Sequence, residues 1–221
     1  MTFIETFLNL EVMARVLPML LRGFVNTLLL AAAVLTIGAV AGVAICLARL
    51  YGPKWARVLA IAWIDLFRAI PILVLLILIY YALPFAGIRL SGYWSAVIAL
   101  SCVFSAFTAE VFRAGIEAIP KGQIEAAQAL GVPGRSIIAE IILPQAFRIA
   151  IPSHTSNSVA IAKDTSLASV VAMPDLLKQA TDAQALTANP SPLIAAALIY
   201  LAVLLPAVRL VHWLERRMKA P

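Results

Sequence analysis

The sequence predicts an all-α membrane protein with about five transmembrane helices, and two features of the chain predict it. Of its 221 residues, 63% are hydrophobic, which is more apolar surface than a soluble domain of this length can bury. A helix needs roughly 20 apolar residues to cross a hydrocarbon core of about 30 Å. Four runs without a charged residue or histidine approach or exceed that length: residues 23–48, 69–87, 90–109 and 183–208.

A fifth span depends on two charged residues. The apolar run 149–162 is too short to cross alone, and it crosses only if the helix continues through Lys163 and Asp164. Residues 1–221 are therefore predicted to form a single transmembrane domain. Its predicted transmembrane helices are 21–49, 57–84, 90–112, 148–173 and 190–213.

The segment before the first span, residues 1–20, is predicted to lie at the outer membrane surface. Phe3, Ile4, Phe7 and Leu8 share one face of a helix whose other positions are polar, which is typical of an amphipathic surface helix. This segment carries no basic stretch and no cleavage site of the kind that a signal peptide has.

Two later spans contain residues that are unusual in lipid. Pro71 is predicted to kink the second span, because proline removes an amide donor and clashes with the preceding turn. Ser101, Ser105 and Thr108 form a polar stripe on the third span. Such hydroxyls either join neighbouring helices or line a pathway, and the sequence allows both interpretations.

The positive charge of the chain indicates its orientation. The formal net charge is +6, but the basic residues flank the apolar runs instead of forming the basic face that a nucleic-acid partner requires. Twelve of the 17 Lys and Arg residues fall on the segments that are inside if the N-terminus is outside and five helices follow. The bias predicts an N-out, C-in protein.

The longest polar segment, residues 113–147, is then predicted to face the cytoplasm as two short helices. The first ends at Gly131, a residue suited to a left-handed C-cap, and Pro133 and Gly134 form the turn. The second helix carries an apolar stripe and is predicted to end at Leu143 and Pro144. A helix-turn-helix in this place is suited to dock into a partner and transmit movement.

The spacing within this segment resembles the EAA loop of ABC importer permeases. Every anchor position of that pattern is occupied at the expected interval: Glu125, Ala126, Ala127, Gly131, Ile141, Leu143 and Pro144. Residues 109–116, the run 163–167 and Asn26-Thr27-Leu28 resemble the branch of this family that imports histidine, arginine, glutamine, glutamate and opines.

The resemblance implies a permease domain with the type I importer fold, in a bacterial cytoplasmic membrane. It implies that two permease chains, identical or related, form the pathway, that a pair of cytoplasmic ATP-binding subunits receives the EAA helices, and that a periplasmic or surface binding protein delivers the amino acid. The chain itself has no glycine-rich phosphate loop. ATP and Mg²⁺ are therefore expected on the partner ATPase, and no cofactor or metal on this chain.

The candidate substrate contacts lie in the fourth predicted span. Lys163 and Asp164 would each cost about 3 kcal/mol if they faced lipid. Either they have a structural role, in which they pair with other protein groups or mark the place where the helix opens to the outer interface, or they meet the ammonium and carboxylate groups of an amino acid. Asn157, Thr165 and Ser166 are the accompanying polar candidates. The resemblance favours the second possibility, because this segment of the family lies along the pathway.

Three other classes of function are weighed against this interpretation. An ABC permease for another small solute would share the EAA loop. An ATP-independent secondary transporter would have no need of that loop and would usually show an internal repeat. An intramembrane hydrolase is disfavoured, because His154 and His212 are the only histidines and no hydrolase motif accompanies them. The chain is therefore predicted to have no catalytic residues.

Overall fold

The computed structural model describes residues 6–219, and within this range the chain is helical, without a β-strand. We number the helices in chain order. They are α1 (Leu10–Tyr51), α2 (Lys54–Ala69), α3 (Ile72–Ala86), α4 (Gly92–Glu117), α5 (Lys121–Ala129), α6 (Gly134–Val171), α7 (Leu176–Thr187) and α8 (Ser191–Lys219).

The described helices account for the predicted fold class. The helices α1, α4, α6 and α8 are each long and apolar enough to cross a membrane, and the consecutive pair α2 and α3 meets the same criterion together, which gives up to five spans. Of the residues in its most apolar window, α4 buries 67%, against 22% in α1. Helix α4 is therefore the most enclosed of these spans.

The first helix begins earlier than predicted. Asn9 caps it, because its Oδ1 accepts the amide N–H of Val12 at 3.1 Å, and the helix then runs without interruption for 42 residues. Residues 10–20 therefore belong to the same helix as the first span and not to a separate surface segment. Phe7 and Leu8 are exposed, and Phe3 and Ile4, the other two residues of the predicted apolar face, lie outside the described residues.

The second predicted span is two helices and not one kinked helix. Helix α2 ends at Ala69 and α3 begins at Ile72, because Pro71 can neither donate a helical hydrogen bond nor fit within the turn. The last turns of α3 widen into a π-helical turn, Leu78–Ala82, two residues before Pro84. The chain then reverses at Gly87, whose φ of 83° suits glycine.

The second helix of the predicted cytoplasmic segment does not end at Pro144. A π-helical turn at Ile137–Ile142 precedes this proline, and its wider ring relieves the clash between a proline ring and the carbonyl one turn earlier. The predicted second helix is therefore the beginning of α6, which continues to Val171. Residues 113–117 likewise continue α4, so the non-spanning part of 113–147 is shorter than predicted.

Helix α7 is absent from the sequence-based prediction. Its N-cap is Asp175, whose carboxylate accepts the amide N–H groups of Leu177 and Lys178. An ion pair between Lys178 and Asp182, one turn apart, spans its exposed side.

The chain divides into two compact units. The first comprises the chain up to Thr36, Ile70–Ser101 and Val159–Val208, and the second comprises Ile37–Ala69, Cys102–Ser158 and the chain from Arg209. The first unit has a core in which α1, α7 and α8 meet, formed by Val16, Leu20, Leu176, Ala180, Ala183, Ala195 and Ala196. The second unit has one core around Cys46, Ile64 and Ala109 and another beneath α5.

The basic residues predicted to lie inside and those predicted to lie outside fall in different units. The second unit holds the twelve Lys and Arg residues that were assigned to the inside, and the first unit holds the other five. With five acidic residues in the first unit and six in the second, the whole formal charge of +6 belongs to the second unit. This agreement supports the N-out, C-in prediction, which follows from the positive-inside bias.

The orientation makes a direct labelling prediction. Gly122→Cys, on α5 of the second unit, should react with a membrane-impermeant maleimide only after the inner face is opened. Ala185→Cys, on the exposed side of α7, should react in intact cells. Both variants are made in a chain that lacks Cys46 and Cys102. Reaction of Gly122→Cys in intact cells would contradict the orientation.

Candidate coupling segment and substrate pathway

Helix α5 ends in a tightly specified turn. The amide of Gly131 donates to Gln128 O at 2.9 Å and that of Val132 donates to Ala127 O at 3.1 Å, which is the hydrogen-bond pattern of a Schellman motif. Gly131 has a φ of 75°, as predicted for a left-handed C-cap. The direction in which the chain leaves α5 therefore depends on this glycine.

The turn and α5 rest on a small apolar core. Ala127 and Ile137 are buried in it with Ile119, Ile142 and Ala146. A hydrogen bond of 2.8 Å from Gln145 Nε2 to Gln123 Oε1 adds a polar link between α5 and α6. Helix α5 is therefore packed against and hydrogen-bonded to the beginning of α6.

The predicted anchor residues divide between this core and the exposed surface. Ala127 is buried, and the half-buried Ile141 packs against the same core. Glu125 and Ala126 are exposed on α5, as are Leu143 and Pro144 on α6. The exposed members are available for a partner, whereas the buried ones hold α5 in place.

Leu130 is a further residue of this surface that the sequence-based prediction missed. Its side chain is 83% exposed, immediately before Gly131 and at the end of α5. It adds a large apolar side chain to the surface that α5 exposes. Its place between the EAA tripeptide and the glycine is the signal that could have identified it.

A network of ion pairs joins α1 and α4 in the second unit. Glu110 accepts from Arg49 Nη1 at 2.8 Å and from Arg113 Nε at 3.2 Å, and Arg113 also pairs with Glu117. Glu110 and Arg113 belong to the stretch that resembles the amino-acid importers, and their role in the structure is to link two helices.

Removing the central carboxylate should destabilise the protein. Glu110→Gln leaves Arg49 without a charged partner and Arg113 with Glu117 alone, so we expect the free energy of unfolding to fall by about 2 kcal/mol, measured by dodecyl sulfate titration in detergent micelles. The matched control is Glu117→Gln, whose carboxylate is 53% exposed and should contribute less than about 1 kcal/mol. Equal losses would contradict the network.

Glycine and hydroxyl residues allow the helices of the second unit to approach closely. A Cβ on Gly115 would lie 2.8 Å from Ala146 O, and one on Gly42 would lie 2.5 Å from the Cβ of Thr108. Ser105 accepts from Trp63 Nε1 at 3.0 Å. For Ser105 these contacts favour the packing interpretation of the polar stripe on α4, whereas the buried hydroxyls of Ser101 and Thr108 have no hydrogen-bond partner within the described residues.

The candidate substrate residues of the first unit lie where α6 changes from an α-helix to a 3₁₀-helix. The α-helical part ends at Asp164 and a 3₁₀ segment, Thr165–Val171, follows. Lys163 is exposed and Asp164 is half-buried, and within the described residues neither forms an ion pair. The missing ion pair argues only against pairing with other protein groups, and the change of helix type at Asp164 leaves in place the other structural interpretation, a helix that opens to the outer interface.

The hydroxyl groups of the two candidates Thr165 and Ser166 donate hydrogen bonds to backbone carbonyls. Thr165 is fully buried and donates to Ala162 O at 2.7 Å, and Ser166 donates to Lys163 O at 2.9 Å. They stabilise the change of helix type and so position Lys163 and Asp164. Asn157, the remaining candidate, belongs to the second unit and is half-buried.

The Asn26-Thr27 pair holds the beginning of α7. Asn26 Nδ2 donates to Pro174 O at 2.8 Å, and Thr27 Oγ1 accepts the amide of Leu176 at 3.0 Å. A Cβ on Gly23 would lie 2.7 Å from Asp175 O. This part of α1 therefore positions the helix that Asp175 caps.

Asp175 gives the first unit a pH dependence. Burial raises the pKa of its carboxyl from 3.8 to about 6, although the amides of Lys178 and Leu177 oppose this rise. Between these two values the folded protein binds the proton more tightly than the unfolded chain, so stability falls as the pH rises through this window.

The pH dependence can be measured by comparison with a variant that keeps the cap. In the wild type we expect the free energy of unfolding to lose about 1–3 kcal/mol between pH 4 and pH 6 through this group. Asp175→Asn still accepts amide hydrogen bonds and should flatten the profile by that amount. Asp182→Asn, a more exposed carboxyl of the same helix, should not. Superimposable profiles of wild type and Asp175→Asn would refute the assignment.

These helices define a membrane-embedded transport component whose polar segment is built to engage a partner. Residues 35–220 match the family described as the inner membrane component of binding-protein-dependent transport systems. The chain belongs to this family.

Relatives and a solved structure agree with this assignment. The chain is 33% identical to the arginine transport system permease protein ArtQ of Bacillus subtilis, over 96% of this chain and 99% of the relative. It is 34% identical to the nopaline transport system permease protein NocM of Agrobacterium fabrum, over 96% and 95%. A crystal structure of an amino acid ABC transporter with histidines matches with a TM-score of 0.89 and 33% identity, over 98% of this chain and 100% of that one. The predicted ABC permease fold is thus confirmed.

A more distant structure shows the same fold. The methionine ABC transporter MetNI in an inward-facing conformation matches with a TM-score of 0.73 at 20% identity, over 91% of this chain and 97% of that one.

Proposed function

We propose that this chain is the membrane-spanning permease subunit of an ATP-driven importer for polar amino acids in a bacterial cytoplasmic membrane. The observation that carries the proposal is the rigid α5 helix and turn, which rest on an apolar core and expose Glu125, Ala126 and Leu130. An ATP-independent carrier has no need of such a surface.

The energy source is a separate pair of ATP-binding subunits. They bind ATP and Mg²⁺, because this chain has no phosphate-binding loop, and they hold α5 in a cleft. Their closure on ATP moves α5, and the core shared by α5 and α6 carries the movement into a spanning helix. The permease has two states, and ATP drives the change through its stronger binding to one of them.

The substrate is proposed to be a polar amino acid. The relatives include permeases named for arginine, glutamine and nopaline, which share a zwitterionic or strongly polar character. Lys163 and Asp164 offer charges of both signs for the carboxylate and ammonium groups of such a molecule. Thr165 and Ser166 support the two charged residues, and Asn157 is proposed as a separate polar group of the pathway in the second unit.

Two further partners complete the proposed assembly. A second permease chain, identical or related, forms the other half of the pathway, and a binding protein delivers the amino acid at the outer face. The family is described by its dependence on such a protein.

Uptake by a deletion strain tests the substrate class. A strain lacking this gene should lose uptake of at least one of labelled arginine, glutamine, glutamate or histidine, and the gene supplied in trans should restore it. The unlabelled amino acid should compete, and a sugar should not. Unchanged uptake of all four would contradict the proposed substrate class.

A further inference from the structure

An apolar cavity lies beside the beginning of α6 in the second unit, apart from the exposed surface of α5. Its volume is about 500 Å³, within the range of small-molecule sites, which is about 300–1,000 Å³. Its walls come from three helices and include Val43, Phe112, Ile116, Leu143, Phe147 and Arg148.

The lining indicates what the cavity can hold. Every wall residue is apolar except Arg148, and Val43, Leu143 and Phe147 remain 37%, 45% and 55% exposed. A polar solute would find no further hydrogen-bonding side chain there, whereas an aliphatic chain fits such walls. The cavity is open on one side, which allows an acyl chain to enter.

Arg148, the one charged residue of the lining, indicates the charge of the polar end of the ligand. Arg148 is exposed, and within the described residues its guanidinium forms no ion pair. The neighbouring arginines differ, because Arg49 and Arg113 are already paired with Glu110. Arg148 is thus free to bind a phosphate, for which the planar guanidinium is well suited.

We propose that this cavity binds one anionic phospholipid, with an acyl chain against Phe112 and Phe147 and the phosphate on Arg148. Basic pockets between transmembrane helices are known to select anionic head groups. The second unit also carries the whole net positive charge of the chain, which favours an anionic lipid over a zwitterionic one.

The site would place the lipid next to the coupling segment. Leu143 lines the cavity and directly follows the π-helical turn of α6, against which α5 packs. An occupied cavity would fill the space beside this turn and limit its movement. The binding itself requires no transport activity, so it can be tested separately from the proposed function.

Photo-crosslinking tests the site in the purified full-length protein. The probes are phosphatidylglycerol and phosphatidylcholine that carry the same diazirine-labelled acyl chain, and labelled peptides are identified by mass spectrometry. Phosphatidylglycerol should label the peptides that contain Phe112 and Phe147 about fivefold more than phosphatidylcholine does, as one basic contact with an anionic lipid predicts.

Two variants and a control separate the head group from the acyl chain. Arg148→Gln should reduce labelling by phosphatidylglycerol to the level of phosphatidylcholine, and Arg148→Lys should restore part of the difference. Val43→Trp, which fills the cavity, should reduce labelling by both lipids. Arg57→Gln removes an exposed arginine outside the cavity and should change nothing.

Three results would overturn the proposal. They are an unchanged preference for phosphatidylglycerol in Arg148→Gln, an equal loss of that preference in Arg57→Gln, and absence of label from both peptides in the wild type. The last result would also be obtained if a protein segment fills the cavity. Each variant must have the unfolding temperature of the wild type in detergent. If Arg148→Gln fails to fold, comparison of Arg148→Lys with the wild type still tests the contribution of the head group.

Discussion

Gly131→Val is expected to reduce ATP-driven uptake about 5- to 30-fold while the protein still inserts into the membrane. With a φ of 75° and no atom within 4 Å of a Cβ added there, the penalty comes from the backbone alone. A β-branched residue in the left-handed region costs about 1–2 kcal/mol. The equilibrium constant for the docking-competent turn should fall by the corresponding factor, and we expect uptake to fall with it.

Two controls separate backbone strain from loss of the side-chain surface. Gly134→Val introduces the same residue at another open position of the segment, where φ is not positive, and should reduce uptake much less. Gly131→Asn should retain most of the activity, because asparagine tolerates this conformation. If Gly131→Val supports wild-type uptake and wild-type assembly with the ATPase, the coupling role of the turn is wrong.

Lys163→Met and Asp164→Asn are each expected to reduce amino-acid uptake about 10- to 150-fold. A hydrogen bond to a charged group contributes about 1.5–3 kcal/mol, and each substitution removes the charge while roughly keeping the shape. Within the described residues these side chains form no ion pair, so their loss should leave the folded complex and its basal ATP hydrolysis unchanged.

Ser169→Ala is the matched control for this pair. Its hydroxyl donates to the carbonyl of Ser166 in the same 3₁₀ segment at 2.8 Å, so removing it should have a small effect on uptake. Normal uptake kinetics in both charge variants would reject a substrate contact. Loss of the assembled complex in both variants would instead favour a structural role for the two charges.

The features predicted from sequence are those that local residue preferences and charge determine. Gly131 was predicted as a left-handed cap because glycine alone has no steric cost there, and the structure confirms it. The spans followed from apolar length. The break at Pro71 was located correctly, but proline could not indicate whether the chain bends or ends one helix and begins another.

The features that were missed depend on contacts between distant segments. Glu110 meets Arg49 across 61 positions of sequence, and one sequence does not specify that pairing. Helix α7 is short, and most of its stability comes from packing against α1 and α8, although Asp175 before an apolar pair was a readable N-cap. The continuation of α6 through Pro144 depends on a π-helical turn, and residue preferences do not indicate such a turn.

For the candidate site, the sequence predicted which residues belong to it but not which of them are exposed. The seven EAA positions were identified by spacing, but spacing could not separate the exposed Glu125 from the buried Ala127, because that difference arises from packing on Ile137 and Ile142. Leu130 was overlooked, since an apolar residue in a helix is ordinarily assigned to a core.

Transport in reconstituted proteoliposomes tests the central claim most directly. The chain is reconstituted with its ATP-binding and binding-protein partners, and accumulation of a labelled polar amino acid is measured with ATP on one side of the membrane at a time. We predict accumulation against a gradient only when ATP is on the side to which α5 is exposed, and loss of that accumulation in Gly131→Val. Equal accumulation without ATP would contradict the account.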